Sequence, residues 1–454
     1  AAFNKDGELF TYDSDMEWFI NLPFYRPTRM MHAVPGSDFG WRSGSATKPV
    51  YYPDNLPSAV DIGPGSPCGV TFGYGAKFPA KYQEAFFGCD WSYGKLYAAH
   101  FKPQGASYVG EAEEFLNGSP LPLTDVVINP KDGAMYFTIG GRGTMSGVYR
   151  VTYVGKESTE PLPRTQPAKN SSRAVRHKLE GLYGKKDPQA VATAWPHLSS
   201  PDRHVRWAAR TVLEFQDPVS WQDKALTENN PVALTNAVIG LARVGDKALQ
   251  PSMLDALERV DFGKLTVPPQ LDYLRAYQLV FARTGAPTDT WKERVGKRLD
   301  AFYPSPIREV NAELSRLIAY LEVPGGVGKT LTLLAKAPTQ EEQIDFAMSL
   351  RIVKNGWTIK QREEYFHWFH KAANYRGHNS FNGFMRNIRS DAIASLSAEE
   401  RAALKSSIDN VPQPSSPKFT FKERAFVKKW KVDELYDASI RRRLWKRVEA
   451  EQLT

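Results

Sequence analysis

A chain of 454 residues can bury two or more cores. No apolar run approaches the roughly 18 residues of a membrane span, and two cysteines, Cys68 and Cys89, exclude both a Cys-only zinc site and a dense disulfide framework. The net charge of +9 is uneven: residues 1–155 hold 12 Lys/Arg against 15 Asp/Glu, whereas residues 156–454 hold 47 against 35, an excess of basic charge spread too thinly to name a partner.

The first residues, Ala-Ala-Phe-Asn-Lys-Asp-Gly, lack a Met and any basic or apolar leader, so they read as a start after processing or inside a longer product. Asn4–Gly7 is a turn feeding a strand over Glu8–Tyr12. Asp13, Asp15 and Glu17 follow at alternate positions. They offer oxygen ligands to a hard cation such as Ca²⁺, or they form a solvated acidic loop. Arg26, Arg29, His32, Trp41 and Arg42 are the densest patch of binding chemistry. Arg forks clamp carboxylates or sulfates and Trp stacks on a sugar ring, but Arg–Asp bridges inside a fold use the same residue types.

Alternation and turn residues then predict strands over Gly69–Tyr74, Ala85–Cys89, Lys95–Lys102 and Ser107–Phe115. Four strands in about 50 residues is the size of one propeller blade. Cys68 and Cys89 fall near the ends of two of these strands, as a cross-strand pair or as two small thiols. A second unit has strands over Thr124–Asn129, Ala134–Ile139 and Gly147–Val154, with Lys131-Asp132-Gly133 as a hairpin turn. Arg142, between Gly141 and Gly143, sits on a loop where backbone can approach a ligand. The expected fold class is therefore multidomain β + α. Residues 1–155 form two to three C-terminal blades of an incomplete β-propeller, and 156–172 form a linker.

From 173 to 410 the periodicity is helical, with short connections and capped starts at Ser200-Pro201, Asn230-Pro231 and Ser305-Pro306. Capping boxes are expected at Thr339/Glu342, Thr358/Gln361 and Ser397/Glu400. The irregular spacing of helix pairs predicts a HEAT-like α-helical solenoid. Pro324–Thr330 lacks the first Gly of a P-loop and follows a helix, so it reads as a helix–helix connection. Glu363, His367 and His370 share a helix face near His378, where packing with a solvated His edge is simpler than a metal site. Residues 411–454 read as a linker and a basic C-terminal helix, with 11 Lys/Arg against six Asp/Glu over Lys418–Thr454. Nucleic-acid binding through the basic half is a further reading, but the aromatic interleaving used for single strands is sparse.

The runs Glu8–Trp18, Tyr25–Arg29, Phe39–Gly44, Val70–Pro79, Gly140–Thr144 and Tyr149–Gly155 resemble the planctomycete-type haem-binding proteins that carry a "membrane-bound dehydrogenase" domain. The propeller of that family is similar to those of soluble quinoprotein glucose/sorbosone dehydrogenases. The resemblance extends to about Leu435. It implies a periplasmic or cell-surface sugar or alcohol dehydrogenase, with pyrroloquinoline quinone and calcium as cofactors and a separate haem domain or electron acceptor. By their own chemistry Arg26, Arg29, His32, Trp41, Arg42 and Arg142 are the candidates to hold a cofactor or an acidic glycan, and the resemblance raises the expectation that Asp13, Asp15 and Glu17 hold the metal. Family members begin with further blades and end in a Cys-x-x-Cys-His segment. Neither is present in this chain, so covalent c-type haem is excluded and the piece is expected to be inactive by itself.

Overall fold

The computed structural model describes residues 1–42, 47–141, 143–163 and 172–414. Arg142 and the basic segment from Lys418 lie outside the described residues.

Three antiparallel sheets follow one another along the chain. The first joins β1 (Ala2–Phe3), β2 (Leu9–Asp13), β3 (Thr28–His32) and β4 (Val60–Gly63) in that order. The second joins β5 (Pro67–Phe72), β6 (Phe86–Asp90), β7 (Lys95–Gln104) and β8 (Ser107–Asn117), with the one-turn helix α1 (Ala80–Gln83) between β5 and β6. The third contains β9 (Leu123–Ile128), β10 (Met135–Gly141) and β11 (Thr144–Val151), with β10 in the middle. No closed ring of strands forms among the described residues. The hairpin turns fall where their chemistry puts them. At Lys131-Asp132-Gly133, the Asp132 carboxylate accepts the Ala134 amide at 2.9 Å and Gly133 takes φ +70°.

Side chains that alternate along these strands meet between sheets. Phe10, Phe72, Phe86 and Tyr108 pack between the first two sheets, and Phe87, Leu96, Leu123, Met135 and Phe137 between the second and third.

The helical part contains α2 (Ser172–Glu180), α3 (Ala190–Ala194), α4 (Arg203–Phe215), α5 (Gln222–Thr227), α6 (Pro231–Val244), α7 (Gln250–Glu258), α8 (Val267–Thr284), α9 (Asp289–Asp300) and α10 (Arg308–Tyr320). It continues with α11 (Gly326–Lys336), α12 (Gln340–Leu350), α13 (Ile359–Ala372), α14 (Phe381–Ala394), α15 (Ala398–Ala403) and α16 (Lys405–Asp409). The even-numbered helices pack in succession, α2 on α4, α4 on α6, α6 on α8, α8 on α10 and α10 on α12. They form one row with the odd-numbered helices α5, α7, α9 and α11 between its members in sequence. Caps fix the starts. Asn230 accepts the Val232 and Ala233 amides, and Thr358/Gln361 and Ser397/Glu400 form full capping boxes.

Three expected starts need correction. Asp202 rather than Ser200 caps α4, because its carboxylate accepts two amides. At Ser305 the hydroxyl accepts the Ile307 amide at 3.1 Å, but α10 begins only at Arg308. At Thr339 the hydroxyl accepts the Glu342 amide without the return bond of a box. The Pro324–Thr330 stretch joins α10 to α11, with Lys329 paired to Asp300 at 2.7 Å.

Residues 1–412 belong to one compact unit. Within it the strand-rich and helical parts are knitted together. At the tip of the β7–β8 hairpin, the Ala106 amide donates to the α4 cap Asp202 at 2.6 Å. Gly105 there takes φ +56°, and a Cβ at that position would lie 2.0 Å from the Asp202 carboxylate. Farther along, Phe19, Leu22 and Phe24 from the β2–β3 connection enter the apolar core of α11 to α14.

Candidate functional site

The inner row of helices turns a polar stripe toward the strand-rich part. Arg275 and Gln278 are three residues apart on α8, Glu313 and Arg316 three apart on α10, and Asp345 lies on α12. The long connection between β3 and β4 lays Arg42, Lys48, Tyr51, Tyr52 and Asp54 across that stripe. Between them opens a cleft of about 460 Å³, lined by Pro23, Phe24, Arg26, Arg42, Thr47, Lys48, Pro49, Tyr52, Arg275, Gln278, Arg316, Asp345 and Met348. That volume is in the range of small-molecule sites.

Two buried carboxylates build the floor. Asp54 is 1% exposed; it takes both arms of the Arg275 guanidinium at 2.9 Å and the Lys48 ammonium at 3.0 Å. Arg275 also stacks over the Tyr52 ring, 4.1 Å from its centroid. Glu313 is fully buried. It accepts hydrogen bonds from Tyr51, from Tyr52 at 2.7 Å, from Gln278 at 2.6 Å and from Arg316. Burial pushes both carboxyls up. The Arg275 and Lys48 contacts at Asp54, and the Arg316 charge and the Tyr and Gln donors at Glu313, outweigh it and hold both below the usual range. Both stay ionised and keep the cations in place. Arg316 reaches on to Asp345 at 2.7 Å, while Arg42 and Lys48 meet Asp38 at 2.7 and 3.1 Å.

Arg26 differs from its neighbours. Its Nε donates to the Lys48 carbonyl at 3.3 Å and its Nη1 to the Tyr25 carbonyl at 2.6 Å. It has no carboxylate partner among the described residues. Chemically, the cleft can hold an anion against fixed guanidinium groups. Its carboxylates among the described residues are ion-paired.

The sequence-derived candidates separate into different environments. Arg26 and Arg42 line the cleft. Arg29 does not: it is 3% exposed in β3, bonded to the Phe39 carbonyl at 3.0 Å and 3.4 Å from Asp13. His32 ends the same buried strand and faces another cluster. Trp41 is 48% exposed and is not part of the cleft lining. Asp13, Asp15 and Glu17 are not brought together as ligands. Asp13 turns to Arg29, Asp15 is buried and accepts the Tyr25 hydroxyl at 2.7 Å, and Glu17 opens a short 3₁₀ turn. No group of three or more His, Cys, Asp or Glu among the described residues is arranged to hold a metal ion, on α13 or elsewhere. Cys68 and Cys89 are both free thiols, one exposed and one buried, and burial pushes Cys89 up to about 12.

A second polar cluster has the order of a hydrolytic triad. His32 Nδ1 meets the Ser107 hydroxyl at 2.9 Å, and His32 Nε2 meets Glu8 at 2.7 Å. All three residues are buried, with Ser107 only 4% exposed, so no substrate reaches the hydroxyl. Glu8 also receives Arg176 at 2.6 Å and His177 at 2.8 Å from α2. The cluster therefore ties the first two sheets to the helical part.

Behind the cleft, Asp272 lies one turn before Arg275 on α8. Burial pushes its carboxyl up to about 6, although Arg206, Arg203 and Arg210 pull the other way. An acid with a raised folded-state pKa costs nothing below its unfolded value near pH 4, loses stability as pH rises from there, and carries the full penalty above about pH 6. Asp272→Asn is therefore expected to raise stability at pH 7 by about 1–3 kcal/mol. Urea midpoints at pH 7 and pH 4 check this, because the gain should disappear at the lower pH.

No family model and no curated protein matches the chain. Among solved structures it is similar to a crystal structure from Thermus thermophilus described as an oxidoreductase (glucose dehydrogenase). The two are 18% identical, the match covers 33% of this chain and 43% of that one, and the TM-score is 0.27. The chain thus spans less than half of that structure's length, and a likeness of this degree carries no weight for fold or activity. No described helix is long and apolar enough to cross a membrane.

Proposed function

We propose that the chain binds a small anionic ligand in the cleft between the β3–β4 connection and helices α8, α10 and α12, and that it serves there as the ligand-holding part of an extracytoplasmic, quinoprotein-like sugar or alcohol dehydrogenase. The observation that carries the binding reading is the convergence of Arg26, Arg42, Lys48, Arg275 and Arg316 on one cavity of about 460 Å³. The motifs quoted above support the dehydrogenase context. In that context the three sheets are blades of an incomplete propeller and the helix row is a HEAT-like solenoid. Pyrroloquinoline quinone, a carboxylated quinone, is a candidate ligand on charge alone. Among the described residues no group of three or more His, Cys, Asp or Glu is placed to hold calcium, and no oxidation step is assigned to them.

The second reading is a non-catalytic binding scaffold for acidic carbohydrate. It is favoured by a specific feature: Asp54, Glu313 and Asp345 are all held in ion pairs with Arg275, Lys48 and Arg316, so the cleft is organised around fixed charge.

Calorimetric titration with sugar acids, neutral sugars and pyrroloquinoline quinone, at low and high salt, tests the binding reading. Saturable binding of an anion that weakens with salt is expected, and no uptake of any anion would sink it. An anaerobic dye-linked assay with the quinone and Ca²⁺ separates the two contexts, since sugar-dependent dye reduction would favour the dehydrogenase. DNA retention that falls steeply with salt would instead favour the nucleic-acid reading.

A further inference from the structure

Resting on that anion-binding reading, we propose that the cleft is built for a sugar carrying a single carboxylate, with Arg26 as the residue that clamps it. The inference comes from pairing charges around the cavity. Five cations line it, and four carboxylates are bonded to them. Asp38 serves Arg42 and Lys48, Asp54 serves Lys48 and Arg275, and Glu313 and Asp345 serve Arg316. One positive charge is left, and it is the one with no carboxylate partner among the described residues, Arg26.

A single carboxylate on the ligand completes this pattern. A tricarboxylate brings two charges with no free cation, and it must compete with Asp38, Asp54, Glu313 or Asp345 for theirs. Those four are held by contacts of 2.5–3.1 Å, two of them on fully or almost fully buried carboxylates. A neutral ligand leaves the Arg26 charge uncompensated as water is displaced, which costs free energy in a half-enclosed site.

The remaining lining matches a sugar ring rather than a bare acid. Phe24, Pro23, Pro49 and Met348 offer apolar surface to a C–H face, beside Tyr52 and Gln278, whose hydroxyl and amide are already given to Glu313. The Arg fork fits a planar carboxylate in two-point contact, and a sulfate ester offers similar oxygens in tetrahedral geometry.

The test is calorimetry on the full chain with four probes: an aldobiouronic acid with one carboxylate, its neutral methyl ester, a singly sulfated disaccharide, and pyrroloquinoline quinone with three carboxylates. The monoacid is expected to bind at least about tenfold more tightly than its ester. Arg26→Ala should abolish that difference, and Arg26→Lys should retain part of it, since lysine keeps charge without the fork. Circular dichroism and melting of both variants show whether the cavity is intact. If Arg26→Ala does not fold, the ratio of monoacid to ester in wild-type protein and in Arg26→Lys decides the matter. Equal affinity for acid and ester overturns the proposal, as does tighter binding of the tricarboxylate, in which case the broader anion reading survives. Preference for the monosulfate keeps the single charge and overturns the carboxylate. Failure of all anions to bind removes the anion-binding reading itself.

Discussion

Glu313→Ala is expected to lower the stability of the chain by about 3–5 kcal/mol, the range for breaking a buried ion pair by removing one partner. The Glu313 carboxylate is fully buried and has four donors: two tyrosine hydroxyls from the β3–β4 connection, one amide from α8 and one guanidinium from its own helix. Truncation removes the acceptor for all four at once. Arg316 keeps Asp345, but Tyr51 loses its partner in a site that water does not reach easily. Glu313→Gln preserves volume and one acceptor oxygen while turning an NH₂ group toward donors, so a smaller loss of about 1–3 kcal/mol is expected. Because Gln278 and Arg316 line the cleft, both variants should also weaken ligand binding. Urea unfolding measures the first effect and calorimetry the second. An alanine variant within about 1 kcal/mol of the wild type would mean that the carboxylate does not hold this junction together.

The same residues explain what the sequence makes legible. The hairpins are readable because Pro103–Gly105 and Lys131–Gly133 carry their own turn chemistry, and the strands beside them alternate. Their observed ends shift by no more than about three residues from the expected ones, as is normal for strand and helix ends alike. Strand β3 is not readable, because it is buried along its whole length and so has lost the period of two. That is also why Arg29 and His32 resemble a binding patch. A buried cation is distinguished from an exposed one by its partner, and the partners of His32 include Ser107, 75 positions away.

Two of the five cations of the cleft, Arg26 and Arg42, are visible in the sequence. Arg275 and Arg316 lie on helices whose polar residues pass for solvated faces until Tyr51 and Tyr52 reach Glu313 across 262 and 261 positions. The signal was faint but present. Polar pairs three residues apart, Arg275/Gln278 and Glu313/Arg316, recur on α8 and α10, and Asn311, Glu313 and Ser315 are all buried on α10.

Acid sensitivity should trace to Glu8, the second carboxylate that bridges the strand-rich and helical parts. Burial pushes its carboxyl up, but hydrogen bonds from His32 and Arg176 and the Arg176 charge prevail and bring it to about 2, from an ordinary value of 4.5. A carboxyl depressed on folding contributes its stability above the unfolded value, and loses it as pH falls from about 4.5 toward 2. At 1.36 kcal/mol per unit, this amounts to roughly 3 kcal/mol. The neighbouring histidines add to the loss at higher pH. Burial lowers His32, and it lowers His204 to about 4, so folded His204 stays neutral down to about pH 4 while the unfolded chain takes up protons below about pH 6.5. A neutral His32 that gives its Nε2 proton to Glu8 must accept the Ser107 hydroxyl at Nδ1, which fixes its tautomer. Glu8→Gln is expected to destabilise the chain by about 2–4 kcal/mol at pH 7, because Arg176 then keeps Glu180 as its one carboxylate among the described residues and His177 loses its carboxylate. The difference between variant and wild type should shrink steadily below pH 4.5, as the carboxyl of the unfolded chain takes a proton that the native one refuses until about pH 2. Urea midpoints between pH 3 and 8 measure that convergence, and a gap that stays constant over the whole range would show that Glu8 is not the group that titrates.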